Sequence, residues 1–233
     1  MTHPDQTDGR AAARQVAETL KAKAGVRKVP ARAFELFIVP GFLNEHSCNE
    51  MIARIERERR PSTIADDVGI ANFRTSETCD LDSADPEVRS VDRAICSLLG
   101  LNGAFGEPIQ GQRYDVGQEF RPHTDTFNPG QADYYLHCAD WGQRTWTAMV
   151  YLNDVPAGGA TRFKLIGKTI QPVRGTLLAW HNLLPDGRPN DASLHQGMKV
   201  RAGAKYILTK WYRERPVTSG SAADASYQAQ SAG

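Results

Sequence analysis

The segment Tyr114-Asp115-Val116-Gly117-Gln118-Glu119-Phe120-Arg121-Pro122-His123-Thr124-Asp125 ends on His-x-Asp, an imidazole and a carboxylate two positions apart. On a strand, residues i and i+2 project to the same face, so both side chains can reach one ion. A third ligand from a distant strand would complete one face of an octahedron. Two histidines and one carboxylate leave three positions open, which suits an Fe(II) that binds a bidentate cosubstrate and then O2. Zinc fits less well: structural zinc sites are closed Cys/His sets, and Cys48, Cys79, Cys96 and Cys138 are scattered with no CxxC. His-x-Asp also arises by chance, and a surface His-Asp pair in a turn is the competing reading.

The downstream sequence bears on that choice. His195 stands in Ser193-Leu194-His195-Gln196-Gly197 at the start of a predicted strand. Lys205 then opens the run Lys205-Tyr206-Ile207-Leu208-Thr209-Lys210-Trp211-Tyr212. Strand alternation puts Lys205, Ile207, Thr209 and Trp211 on one face. A lysine heading an inward row of Ile, Thr and Trp needs an anionic partner, because an unpaired buried ammonium is costly. The distal carboxylate of 2-oxoglutarate would be such a partner. An edge lysine reaching solvent along its stem is the alternative.

Working outward, residues 108–216 read as short β-rich runs separated by Gly, Pro, Asn and Asp: 110–116, 145–152, 159–165, 168–173, 176–180, 193–200 and 205–212. Many short strands at this spacing predict a sandwich or barrel. The preceding half, residues 11–107, supplies helical support. Helices are predicted over 11–24, over 44–59 behind an Asn44 cap, and over 86–99; residues 34–39 read as a strand. The termini, 1–10 and 217–233, are rich in small and polar residues and are predicted to lack fixed structure. The fold class is thus α+β, mainly β, in a single domain over 11–216.

Composition excludes several classes. Among the 233 residues, 28 basic and 27 acidic side chains leave a net charge of +1, with no basic stripe for nucleic acid. No apolar run is long enough to span a bilayer, and the first ten residues lack the apolar core of a secretory signal. Scattered thiols point to a reducing compartment, so a cytoplasmic location is expected. Nothing in the sequence fixes the oligomeric state.

Taken together, the motifs resemble those of the prolyl 4-hydroxylases, a family of Fe(II)/2-oxoglutarate-dependent dioxygenases. Tyr114 to Asp125 resembles their Tyr-x-x-Gly-x-x-Phe-x-x-His-x-Asp segment. Tyr151-Leu152-Asn153, followed by Gly158-Gly159-Ala160-Thr161-Arg162-Phe163, resembles their Tyr-Leu-Asn and Gly-Gly-x-Thr-x-Phe stretch. Gly175, His195, Lys205 and Trp211 follow in the same order, and the resemblance runs from about Phe34 to Arg215.

The resemblance implies a double-stranded β-helix, or jelly-roll, with His123, Asp125 and His195 as iron ligands. It implies that Lys205 pairs with the C5 carboxylate of 2-oxoglutarate, helped by Thr161 and Tyr151. Tyr114 would flank the same cosubstrate, and Thr147 shares the inner face of its strand. O2 would be consumed, and ascorbate would serve as reductant. Glu107, Phe120, Arg144 and Trp211 occupy positions of the family's peptide groove, and Arg74-Thr75-Ser76 resembles the start of a mobile loop over substrate. For these groove positions, core aromatics and surface charges are the alternatives. His137 and His181 are read as packing groups rather than ligands. An intact Asp125 implies hydroxylation rather than halogenation. The longer segment 126–145 leaves the substrate open between a peptidyl proline and a free amino acid or small metabolite. A jelly-roll that binds without turnover is the reading from a different class.

Overall fold

The computed structural model describes residues 9–32, 34–62 and 73–217. The predicted disorder of 1–8 and 218–233 lies outside them. Three helices precede the β-rich half: α1 (Gly9–Lys21), α2 (Glu45–Glu58) and α3 (Pro86–Leu99). Asn44 caps α2 by accepting from the Ser47 amide at 2.8 Å. Asp85 caps α3, Pro86 begins it, and Gly100 ends it at φ 70°. Between the helices lie β1 (Arg27–Lys28), β2 (Leu36–Val39), β3 (Arg60–Pro61) and β4 (Glu77–Asp80). A short helix, α4 (Ala132–Cys138), occupies the middle of the 126–145 segment, where no helix was predicted.

The remaining strands are β5 (Gln110–Tyr114), β6 (Phe120–His123), β7 (Arg144–Tyr151), β8 (Ala157–Gly158), β9 (Thr161–Phe163) and β10 (Lys168–Ile170). They continue as β11 (Leu177–His181), β12 (His195–Gly197), β13 (Val200–Ala202) and β14 (Lys205–Arg213). A large antiparallel sheet runs β1-β2-β11-β7-β14-β5-β4-β3, and a smaller one runs β10-β9-β12-β6. This is the jelly-roll arrangement of two facing antiparallel sheets.

Alternation in two central strands builds the layers. Trp146, Ala148, Val150 and Leu152 of the β7 region, with Leu208 and Tyr212 of β14, pack against Val16, Leu20, Met51, Ile55, Val91 and Ile95 of the helices. Met149, Tyr151 and Ile207 face the other way, into a second core with Phe163, Leu178 and Trp180 between the sheets. Each fully buried Leu, Ile or Phe in these layers contributes on the order of 1.5–3 kcal/mol. Among the described residues, no helix is long and apolar enough to cross a membrane.

The terminal boundaries differ from expectation by a few residues. Gly9 and Arg10, predicted to be disordered, open α1: the Gly9 amide donates to Glu214 O, and Arg10 pairs with the Glu214 carboxylate. A Cβ at position 9 would stand 2.6 Å from Arg213 O, so the close approach requires glycine. Val217, placed in the expected tail, donates to Ala104 O.

Candidate metal centre and cosubstrate pocket

His123 ends β6 and His195 begins β12, and the two residues are direct register partners across that pair. Asp125 lies two residues past His123 in a bend, not on the strand assumed for it. The turn nevertheless returns its carboxylate toward the imidazoles. One ligand atom from each of His123, Asp125 and His195 lies within 4.8 Å of the others. Among the described residues, this is the one cluster of three or more such groups able to hold a metal.

Hydrogen bonds orient all three. His123 Nδ1 lies 2.8 Å from Arg121 O, and His195 Nδ1 lies 2.9 Å from Ser193 O. Each ring therefore donates from Nδ1 to the carbonyl two residues back, and its Nε2 keeps a lone pair for the centre. Burial, then the neighbouring His195, hold the His123 imidazole down to about 3, so its ring is neutral at ordinary pH. Burial raises the Asp125 carboxyl, but His195, His123, Arg144 and a hydrogen bond from Thr147 outweigh it and keep the group ionised. A mono-anionic set of this kind, one hard carboxylate and two neutral imidazoles, fits Fe(II).

Facing the triad in the same pocket is Lys205, 1% exposed. Its ammonium has no ion pair and no hydrogen bond among the described residues, and burial alone pushes it down to about 7. Nζ lies 5.1 Å from the centre of the Tyr114 ring and 5.6 Å from that of Tyr151. Gly197 opposite leaves room at Nζ; a Cβ there would come within 3.8 Å. A desolvated cation with space before it is a receptor for a carboxylate.

The other expected cosubstrate residues fall into two groups. Tyr114 and Thr161 line the pocket, with the Tyr114 hydroxyl donating to Gln112 Oε1 at 2.7 Å. Tyr151 and Thr147 are buried behind it: Tyr151 donates to Thr161 Oγ1 at 2.7 Å, and Thr147 donates to Asp125 Oδ2 at 2.7 Å. Their hydroxyl protons are directed at neighbouring side chains.

On the opposite side of Asp125, Glu107 is 0% exposed, which removes the surface-charge alternative. Arg144 grips it with Nε and Nη2 at 2.7 and 2.8 Å, while Arg213 Nε lies 2.6 Å from Oε1. Arg144 also stacks over the Trp211 ring, 4.0 Å from its centre. Phe120 stacks on His123 with ring centres 3.6 Å apart. Arg74 lies over the other part of this wall, 5.0 Å from the Phe120 ring, bonded to Ser76, Thr78 and Gln110. Arg74-Thr75-Ser76 is thus tied down: Arg74 bridges Phe120, and the Thr75 amide donates to Glu119 O. The loop expected to start at Arg74 meets strand β4 directly after Ser76, at Glu77.

His137 stacks on Phe127 and His181 lies against Trp146, both away from the triad. Sequence reasoning missed Gln112, Asn182 and Arg213. Extending the inward alternation of β14 two further positions would have found Arg213. Asn182 follows β11 in no motif and gave no signal.

Residues 109–213 match the model of the 2OG-Fe(II) oxygenase superfamily. The chain is 33% identical over 146 residues to prolyl 4-hydroxylase subunit alpha-1 of Gallus gallus, covering 62% of this chain and 28% of that protein. The chain spans less than a third of the length of such curated relatives. Its fold is similar to the viral collagen prolyl hydroxylase of Paramecium Bursaria Chlorella virus-1, solved as a 2OG complex (TM-score 0.61, 24% identity, covering 81% of this chain and 98% of that one). A prolyl hydroxylase from Trichoplax adhaerens, in complex with a hypoxia inducible factor oxygen degradation domain peptide fragment, shares the fold at 16% identity (TM-score 0.60, covering 88% and 90%).

Proposed function

We propose that the chain is an Fe(II)- and 2-oxoglutarate-dependent dioxygenase that hydroxylates an unactivated C–H bond of a peptidyl proline. The observation that carries this reading is the buried Lys205 ammonium, without an ion pair or hydrogen bond among the described residues, in the same pocket as the His123-Asp125-His195 cluster. A metal site alone would not need it; a metal site fed by a dicarboxylate would.

When bound, Fe(II) with 2-oxoglutarate and O2 supplies the oxidative decarboxylation to succinate and CO2 that drives oxygen insertion. The protein positions the parts. His123, Asp125 and His195 hold one face of the ion and leave the other for cosubstrate. Lys205 anchors the far carboxylate beside Thr161, with Tyr114 along its flank. Trp180, Met149 and Ile207 line the pocket with apolar surface, which excludes water from the reactive face. Arg144, held by Glu107 against Trp211, forms a rigid cationic and aromatic wall on the substrate side, where a peptide backbone carbonyl can be received. Ascorbate is the expected reductant, and the four free cysteines suit the reducing, cytoplasmic setting expected for the chain.

Proline-containing peptides and free amino acids, each incubated with enzyme, Fe(II), 2-oxoglutarate and ascorbate, separate the substrate classes by mass spectrometry. A gain of 16 Da on proline in peptides is expected. Oxidation of free amino acids alone would refute the peptidyl assignment.

A further inference from the structure

Asp125 sits in a bend, so its backbone does not hold the carboxylate as a strand would. Something else must fix it. Thr147, fully buried in β7, donates its hydroxyl to Asp125 Oδ2 at 2.7 Å. The same Thr147 Oγ1 accepts from Asn182 Nδ2 at 2.8 Å, and Asn182 is itself fully buried just past β11. A hydroxyl has one proton to give. Because Oγ1 receives the amide N–H, that proton is turned toward Asp125. Reversing the Asn182 amide would set Thr147 between two acceptors with one proton, leaving one close oxygen pair unbridged. The relay therefore runs one way, Asn182 to Thr147 to Asp125.

The Asn182 backbone is clamped as well: its N–H donates to Thr145 O at 2.8 Å, and its carbonyl accepts from Asn190 at 2.9 Å. We propose that Asn182 is a positioning residue for the metal, acting through Thr147 to occupy Asp125 Oδ2 and present Oδ1 to the ion. Oδ1 is the oxygen that faces His123, 4.0 Å from its Nε2. The inference rests on the metal reading of His123, Asp125 and His195. Groups that orient a ligand in this way typically govern metal affinity by 10–100-fold.

Mn(II) is the probe, its free concentration read from the electron paramagnetic resonance signal of the unbound ion under titration with protein. Thr147→Val and Asn182→Ala are each expected to weaken Mn(II) binding roughly 10–100-fold, whereas Thr147→Ser, which keeps the hydroxyl, binds as the native protein does. The double variant Thr147→Val/Asn182→Ala binds no more weakly than Thr147→Val alone, because both act along one path. Asn182→Leu, close in volume, replaces Asn182→Ala if the latter does not fold. Native-like Mn(II) affinity in folded Thr147→Val or in the folded Asn182 variant would overturn the relay, as would losses that multiply in the double variant. Failure of the metal reading looks different: the native protein would then bind Mn(II) no better than His123→Ala.

Discussion

His123 and His195 face each other as register partners of β6 and β12, their ring centres 4.3 Å apart. Each Nδ1 is fixed on its own backbone, so the fold itself sets the orientation of both rings. A ligand that binds only the folded state stabilises it by about 2.7 kcal/mol at a hundred times its dissociation constant. For a domain of this size that corresponds to roughly 5–10 °C in Tm. Anaerobic melting with and without Fe(II) is expected to show such a rise in the native protein and none in His195→Ala. An equal rise in that variant would remove His195 from the ligand set.

Lys205 makes a pH-dependent prediction. Its ammonium titrates near 10.5 when free and at about 7 in the fold, through burial. Above pH 7 the pocket holds mainly the neutral amine, and an arriving carboxylate restores the charge. 2-Oxoglutarate binding is therefore expected to take up close to one proton at pH 8.5 and almost none at pH 6. Calorimetry in two buffers of different ionisation enthalpy measures this, and pH-independent binding with no proton uptake would contradict it.

The same residue lowers stability. Between pH 7 and 10.5 the unfolded chain holds the Lys205 proton and the folded chain does not, so stability from this site rises with pH across that window. The penalty is complete below pH 7. Lys205→Met is expected to melt higher than the native protein at pH 7, with the gap closing toward pH 10.5, while its 2-oxoglutarate requirement rises steeply. A variant that melts lower at pH 7 would show the ammonium to be satisfied in the fold.

Much of this was legible in the sequence because it rests on alternation and turn chemistry. The β14 pattern placed Lys205, Thr209 and Trp211 inward, and the Asn44 cap and the helical pattern over 86–99 located two helices. What was not legible depends on long-range closure. Asp125 was placed on a strand, yet β6 stops at His123 and the bend that follows carries the carboxylate. The Glu107-Arg144-Arg213 cluster joins three separate segments, and three charged residues at those positions read equally well as solvated surface until burial is known. Asn182 is invisible for the same reason: its partners are set by the pairing of β11 with β7.

Glu107 lies fully buried between two guanidinium groups, which together hold it ionised against the upward push of burial. Removing one partner of such a cluster leaves an uncompensated buried charge and costs about 3–5 kcal/mol. Glu107→Ala is expected to lose stability of that order in urea denaturation and to free Arg144 from Trp211, raising KM for the prime substrate more than that for 2-oxoglutarate. A loss under about 1 kcal/mol would mean that the arginines find other partners.

The most direct test of the dioxygenase assignment is the stoichiometry of turnover on a proline-containing peptide. With Fe(II) and O2, the native protein is expected to form one succinate for each peptide that gains 16 Da, and Asp125→Ala is expected to form neither. Succinate formation that survives in Asp125→Ala, or a native protein that consumes no 2-oxoglutarate with any peptide or amino acid, would contradict it.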